Sequence, residues 1–277
     1  IAIANKESII CGWDLIQKEL KKNKTEFIPV DSEHFSIWYA LKDINKKLIE
    51  KIYLTASGGP FLNRPFNKLK NVTSKQAIKH PNWKMGKKIS IDSATMMNKV
   101  FEIIEAKKIF DLSYKKLSIL IHPKSYVHAI IKFRNGLIKI VAHETNMKIP
   151  ISNSIYMGNP NQNFVKSKKI DLNILNSLNL QHVDVKKFPV IKILKRITKK
   201  NSLFDTVLVS VNDELVNLFL RDKLKFFEIS SKIRYLINSR LFSKFMHQKP
   251  KNLAQIEKLN EFVRLKTRTL SVISQKK

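Results

Sequence analysis

Asp31-Ser32-Glu33 sets two carboxylates two positions apart, directly after the apolar segment Phe27-Ile28-Pro29-Val30. Residues i and i+2 of an extended chain point to one side, so both groups can converge on one cation. Hard divalent ions such as Mg²⁺ take a few carboxylates and keep room for water or substrate oxygens. A solvated strand end fits the same letters. A second group is Ser93, Asn98, Lys99 and Glu102, on a predicted helix that Asp92 or Ser93 caps. A helix N-terminus offers unpaired N–H groups and a positive dipole end to a phosphate, to which Lys adds a point charge and Ser and Asn add hydrogen bonds. Glu102, one turn beyond Asn98, reaches a cation beside that phosphate. The competing reading is an ordinary amphipathic helix with a Ser cap and a Lys/Glu surface pair.

Ser57-Gly58-Gly59 either presents backbone N–H groups to an anion or is a simple turn, and it lacks the Gly-Lys-Ser/Thr of a P-loop. His80 and Trp83 lie in a long polar stretch, where surface and packing roles compete with a site role. Cys11 has no base nearby in sequence and reads as a small buried residue. The six glycines, at 12, 58, 59, 86, 136 and 158, form no Gly-x-Gly-x-x-Gly dinucleotide fingerprint.

These groups need elements to hold them. Residues 1–30 read as the tail of an α/β unit: a short strand, a helix near Trp13 to Lys24, and a strand at Phe27 to Val30. Ile52 to Ala56 is strand-like and runs into the turn at 57–60, after which 57–87 is a long loop of the kind that serves as a lid. Lys88-Ile89-Ser90-Ile91 reads as a strand. It feeds a helix whose Met97, Val100, Phe101 and Ile104 fall at i, i+3, i+4, i+7, opposite a stripe of Asn98, Glu102 and Glu105. Val127 to Phe133 and Leu137 to Val141 flank Arg134-Asn135-Gly136, a strong hairpin signal. Residues 157–184 are Asn-rich and read as a linker. Beyond them about four helical segments suffice for a small bundle, with Ile229, Ile233, Leu236 and Ile237 on one face and Ile256, Leu259 and Val263 on another. The expected fold is α/β then all-α: a remnant of a Rossmann-like domain over 1–30, a mixed-sheet α/β domain over 31–156, and a helical domain over 185–277.

Composition limits the function classes. With 277 residues, 43% hydrophobic and 27% charged, the chain is long enough for a sizeable core. No apolar run reaches the ~18–20 residues of a membrane span. A single Cys excludes a disulfide scaffold and suits a reducing cytoplasm. The net charge of +30 invites a nucleic-acid reading. Against it, the cations are 44 lysines and only eight arginines spread along the whole chain, whereas base and phosphate readers favour the Arg fork. The chain opens on Ile1 in mid-pattern, with no signal-peptide pattern.

Several blocks together carry a resemblance. Ala4-Asn5-Lys6-Glu7-Ser8, Pro29-Val30-Asp31-Ser32-Glu33-His34, Thr55-Ala56-Ser57-Gly58-Gly59-Pro60-Phe61, His80-Pro81-Asn82-Trp83-Lys84-Met85-Gly86, Ile91-Asp92-Ser93-Ala94-Thr95-Met96-Met97-Asn98-Lys99 and Ile121-His122-Pro123 occur in this order. The ensemble resembles the 1-deoxy-D-xylulose 5-phosphate reductoisomerases. The resemblance is strongest over 1–151 and thinner through the helical tail.

It implies an oxidoreductase that rearranges a sugar phosphate and reduces the product with NADPH, in non-mevalonate isoprenoid biosynthesis, in the cytoplasm and as a homodimer. By resemblance, Asp31, Glu33 and Glu102 hold Mg²⁺, Mn²⁺ or Co²⁺, with Lys6, Glu33 and Glu102 as the catalytic set. Lys6, Ser32, Glu33, Ser57, His80, Trp83, Ser93, Asn98, Lys99 and Glu102 meet the substrate. Asn5, Lys6, Glu7 and Gly86 face the cofactor, and His80, Trp83 and Met85 belong to the lid. The pattern departs at Val100, where the family has Gly, and at Ser210-Val211-Asn212-Asp213, a loose echo of Ala-Ala-Asn-Glu. The family's Gly-rich NADPH domain is expected ahead of Ile1, so the chain alone is expected to turn over little NADPH. The alternatives are an inactive remnant of such an enzyme and a basic nucleic-acid-binding protein.

Overall fold

The structure is a computed structural model that describes residues 1–156, 165, 169–197 and 201–273. β1 (Ala2–Ile3) pairs in parallel with β2 (Ile28–Pro29), and α1 (Lys6–Lys22) connects them. The helix starts where the Asn5 side chain accepts the Ser8 N–H at 2.7 Å. It buries Lys6, Ile9, Ile10 and Trp13, the i, i+3, i+4, i+7 stripe of an amphipathic helix. This helix begins seven residues before the predicted Trp13, because the Asn cap sets its start.

α2 (Ser32–Ala40) opens at Asp31, so the predicted extended Asp31-Ser32-Glu33 segment is corrected: Asp31 is the N-cap and Glu33 lies in the first turn. Carboxylates are favoured there by the helix dipole, and the turn brings them together as pleating would have done. β3 (Ile49–Ala56) follows and forms the middle of the main sheet. The stretch 57–87 is ordered by short helical turns at Phe66–Asn71 and α3 (Ser74–Ala77), the latter closed by a reciprocal Thr73/Gln76 cap.

The predicted strand Lys88–Ile91 is also corrected. α4 (Lys87–Thr95) is helical throughout, with Lys88 and Asp92 paired at 3.1 Å across one turn and Ser90, Ile91, Ala94 and Thr95 buried. It ends at Met96, whose left-handed backbone (φ 67°) starts α5 (Met97–Phe110) in a new direction. Ser93 is therefore in the last turn of α4 and caps nothing, while Asn98 and Lys99 occupy the first turn of α5. α5 buries its predicted apolar face, Met97, Val100, Phe101 and Ile104, and its Glu102 and Glu105 as well.

β4 (Leu117–Ile121), β5 (Val127–Phe133) and β6 (Ile138–Ala142) complete most of the sheet, in which β3 runs parallel to β4 and antiparallel to β5. The predicted hairpin joins β5 and β6, and Gly136 supplies its positive φ of 86°. Then come α6 (Lys148–Tyr156), α7 (Leu172–Asn176) and β7 (Gln181–His182). Of the predicted linker 157–184, residues 157–164 and 166–168 lie outside the described residues. The rest is not featureless: β7 pairs with β4 and gives the order β6-β5-β3-β4-β7.

Among the described residues, α8 (Leu203–Leu220), α9 (Phe226–Asn238), the single-turn α10 (Arg240–Ser243) and α11 (Leu253–Ile273) follow. α8 is buried along nearly its whole length, against α1, α4, α9 and α11. One apolar cluster runs from Ile10 through the sheet and α5 to Val263, so the helical tail packs on the α/β part through a shared core. No described helix is long and apolar enough to cross a membrane.

Cys11 lies on α1 near Thr206, and burial pushes its thiol up to about 12. Only the thiolate attacks alkylating and disulfide reagents, and at pH ~8 about one thiol in ten thousand is ionised at such a value. Thiol titration of the folded chain at that pH should give no fast reaction, and denaturant should expose one thiol. Fast labelling of the native chain would contradict this environment.

Candidate functional site

The residues predicted to do chemistry line one cavity of 530 Å³. Asn5, Lys6 and Glu7 from the start of α1, Asp31, Ser32 and Glu33 from α2, and Ser57 from the end of β3 form part of its wall. His80, Trp83, Met85 and Gly86 come from the segment before α4, and Ser93, Asn98, Lys99 and Glu102 from the α4–α5 joint. The bend at Met96 puts the last turn of α4 and the first turn of α5 on the same side. Gly59 fits against α4 so closely that a Cβ would stand 2.7 Å from Ala94 Cα and 2.9 Å from the Ser93 carbonyl oxygen.

Asp31, Glu33 and Glu102 each offer a carboxylate oxygen, and these lie within 4.8 Å of one another. Like charges at that distance need compensation. Lys6 Nζ donates to Asp31 at 2.5 Å, Lys99 Nζ donates to Glu33 at 2.7 Å, and Lys99 and Asn98 both donate to Glu102. Ser32 Oγ donates to the other Glu33 oxygen at 2.6 Å. His34 Nε2 bonds the Glu102 carbonyl oxygen at 2.8 Å and thereby fastens α2 to α5.

Burial opposes the charge on Lys6, yet Asp31, Glu105 and Glu102 outweigh it and hold the ammonium well above its usual range. Lys99 is likewise raised, burial being overcome by Glu102 and Glu33. Burial also opposes ionisation of Glu33, but Lys99 wins and keeps it charged. Glu102 is pushed up to about 8 by burial and by the Glu33 charge. Glu105, one turn further on α5, rises to about 7 through burial. Such perturbed groups around one cleft make it a functional-site candidate.

His80 Nδ1 accepts the N–H groups of Asn82 (3.2 Å) and Trp83 (3.0 Å), which leaves the proton on Nε2, 2.9 Å from Ser57 Oγ. Burial and nearby Lys99 depress its pKa to about 4, so the ring is neutral at pH 7. Asn82 Nδ2 donates to Pro123 O (2.6 Å) and Ser125 Oγ (2.9 Å), anchoring the segment that carries Trp83. Trp83 meets His128 edge-on at 6.1 Å, and His128 stacks on His143 at 3.7 Å. Val100 is fully buried in the core and does not line the cavity, so its bulk is spent on packing.

Four nearby residues escaped the sequence reading. His34 was visible only as part of a motif, and Glu105 only as a polar stripe position. Lys88 joins Glu7 (2.7 Å), Asp92 (3.1 Å) and Asp213 (3.0 Å), partners scattered along the chain. His128 sits on an apolar strand where nothing distinguishes it from a core histidine.

Two family models match. Residues 27–110 fit the 1-deoxy-D-xylulose 5-phosphate reductoisomerase C-terminal domain, and residues 143–266 fit the DXP reductoisomerase C-terminal domain. The 1-deoxy-D-xylulose 5-phosphate reductoisomerase of Pelagibacter ubique (strain HTCC1062) is 60% identical over 272 residues, which cover 98% of this chain and 70% of that protein. The enzyme of Sulfurihydrogenibium sp. (strain YO3AOP1) is 43% identical over 229 residues, covering 83% of this chain and 60% of its own length. A solved DOX-P reductoisomerase in complex with NADPH, fosmidomycin and magnesium superimposes with a TM-score of 0.88 at 31% identity, over 100% of this chain and 71% of its own. One from Zymomonas mobilis in complex with NADPH gives 0.85 at 28% identity, over 98% and 68%. At this identity and coverage, and with the motif blocks gathered around one cavity, the chain belongs to the 1-deoxy-D-xylulose 5-phosphate reductoisomerase family.

Proposed function

We propose that this chain forms the metal- and substrate-binding part of an enzyme that converts 1-deoxy-D-xylulose 5-phosphate to 2-C-methyl-D-erythritol 4-phosphate with NADPH. The observation that carries this reading is the meeting of Asp31, Glu33 and Glu102 in a cavity that also contains Ser57, Ser93, Asn98 and Lys99. The donor set suits a hard divalent ion: Asp31 and Glu33 supply carboxylate oxygens paired with the Lys6 and Lys99 ammonium groups, and Glu102, which burial drives toward its neutral form, supplies a third carboxyl that a bound cation would ionise. Asp31, Glu33 and Glu102 would hold Mg²⁺, Mn²⁺ or Co²⁺, which supplies Lewis-acid stabilisation of negative charge on substrate oxygens. NADPH supplies the hydride, with Asn5, Glu7 and Gly86 on its side of the cavity.

The remaining work belongs to the side chains. Ser57, Ser93 and Asn98 offer neutral hydrogen bonds to the phosphate, and Lys99 offers charge. Neutral His80 adds its Nε2–H without repelling Lys99. Lys6 and Ser32 orient the hydroxyl end of the sugar. Trp83 and Met85 cover the cavity and exclude water, which strengthens each charge interaction inside. A homodimer is proposed on β6, the edge strand of the sheet among the described residues, where Ile138 and Ile140, with Leu137 just before the strand, are exposed.

The test is NADPH oxidation by the protein carrying this chain, with and without deoxyxylulose phosphate and Mg²⁺. Oxidation requiring both is expected. NADPH oxidation indifferent to the metal, or none with any member of this substrate class, would overturn the assignment.

A further inference from the structure

Glu105 stands one turn beyond Glu102 on α5, is fully buried, and does not line the cavity. Neither of its carboxylate oxygens has a hydrogen-bond partner among the described residues. A buried carboxylate so placed is costly unless it gains a partner in another state of the site. The nearest cation is Lys6, with Nζ 3.9 Å from Glu105 and 2.5 Å from Asp31. These two carboxylates are the only ion-pair partners of Lys6 among the described residues.

Asp31 thus has two claimants. Lys6 holds it now, and a divalent cation shared with Glu33 and Glu102 would compete for the same charge. When Asp31 turns to the cation, the Lys6 ammonium is repelled by a like charge while still buried, and an unpaired buried ammonium is strongly disfavoured. A movement of about 1 Å brings Nζ to normal ion-pair distance from Glu105. His34, 4.0 Å from Glu105 and bonded to the Glu102 carbonyl, keeps α2 and α5 fixed during the exchange.

We propose that Glu105 is a positioning residue that receives the Lys6 ammonium when Asp31 engages the divalent cation, so that metal entry and the orientation of Lys6 toward substrate are one event. This deepens the function proposed above and rests on it. Asp31, His34 and Glu105 also lie within 4.8 Å of one another, but with Lys6 between Asp31 and Glu105 they are read as the lysine's exchange site and not as a second metal centre.

The experiment is Mn²⁺ binding, read from the electron paramagnetic resonance of the free ion, in a double-mutant cycle on the full chain. Glu105→Gln should weaken Mn²⁺ binding by about tenfold, since the displaced lysine loses its carboxylate. Lys6→Met alone should tighten binding by removing the competitor. In the Lys6→Met background, Glu105→Gln should change affinity by less than about twofold. An equal loss in both backgrounds would mean that Glu105 acts only through its charge or through packing. No loss in either, or a second bound Mn²⁺ that disappears with Glu105, would overturn the proposal too. Should Glu105→Gln fail to fold, Glu105→Asp replaces it in the cycle, with a smaller loss that again requires Lys6. Absence of Mn²⁺ binding by the unmodified chain would reject the metal reading itself, a result distinct from tight binding indifferent to Glu105.

Discussion

Glu102→Gln should weaken Mn²⁺ binding by about 100-fold or more and, in the full protein carrying this chain, remove most metal-dependent turnover, while leaving the fold intact. Removing groups that only support a ligand costs roughly 10–100-fold in metal affinity, so losing a ligand should reach at least the upper end of that range. The fold is spared for reasons visible in the site. Glu102 is buried, and burial with the neighbouring Glu33 charge already drives it toward the neutral form. Gln reproduces that neutral form in size and shape. Lys99 keeps its 2.7 Å contact with Glu33, and the His34 bond goes to the backbone carbonyl of residue 102, which the substitution does not touch. Thermal melting should therefore move little, whereas Mn²⁺ titration and turnover collapse. Mn²⁺ affinity within about threefold of the unmodified chain would remove Glu102 from the ligand set.

How much of this was legible before any coordinates depends on the range of the interactions involved. The β5–β6 hairpin was readable because Asn135-Gly136 encodes its turn locally. The buried face of α5 was readable because Met97, Val100, Phe101 and Ile104 repeat at the helical period. The stretch 88–91 was not. Lys88-Ile89-Ser90-Ile91 alternates polar and apolar residues as a strand does, and only the Lys88–Asp92 pair and the packing of Ile91 and Ala94 favour a helix. The left-handed Met96 that ends it has no sequence signature, since Met has no preference for that conformation. Asp31 caps α2, but the apolar run before it reads as a strand that continues through it, so the helix start was not legible there. The acidic triad could be named from motif resemblance. Its charge balance could not, because Lys6–Asp31 and Lys99–Glu33 span 25 and 66 residues. Glu105 is the clearest case: in sequence a helix-surface glutamate, in the fold a buried group beside a lysine from the other end of the site.

Gly59→Ala should cost about 2–4 kcal/mol of stability and damage the site with it. Two penalties combine. The backbone at 59 has φ of 68°, which an L side chain adopts at a cost of about 1–2 kcal/mol. The added Cβ then meets Ala94 Cα at 2.7 Å and the Ser93 carbonyl oxygen at 2.9 Å, backbone atoms of a helix that cannot yield as a side chain can. Relief requires α4 to shift, which carries Ser93 away from Asn98 and Lys99 and loosens the phosphate cradle. The neighbouring glycines provide the controls. At Gly58 φ is 80°, but the closest crowding atom is Leu62 Cδ1, 2.6 Å from the new Cβ, the far end of a side chain rather than helix backbone, so Gly58→Ala should cost about 1–2 kcal/mol. At Gly86 φ is −61° and nothing lies within 4 Å, so Gly86→Ala should stay within about 0.5 kcal/mol. Urea midpoints should follow the order 59, 58, 86 in severity, and inorganic phosphate binding should weaken severalfold more for Gly59→Ala than for Gly58→Ala. Equal losses at 58 and 59 would mean that backbone conformation alone sets the cost, and that the close approach of Gly59 to α4 does not hold the phosphate-binding groups in place.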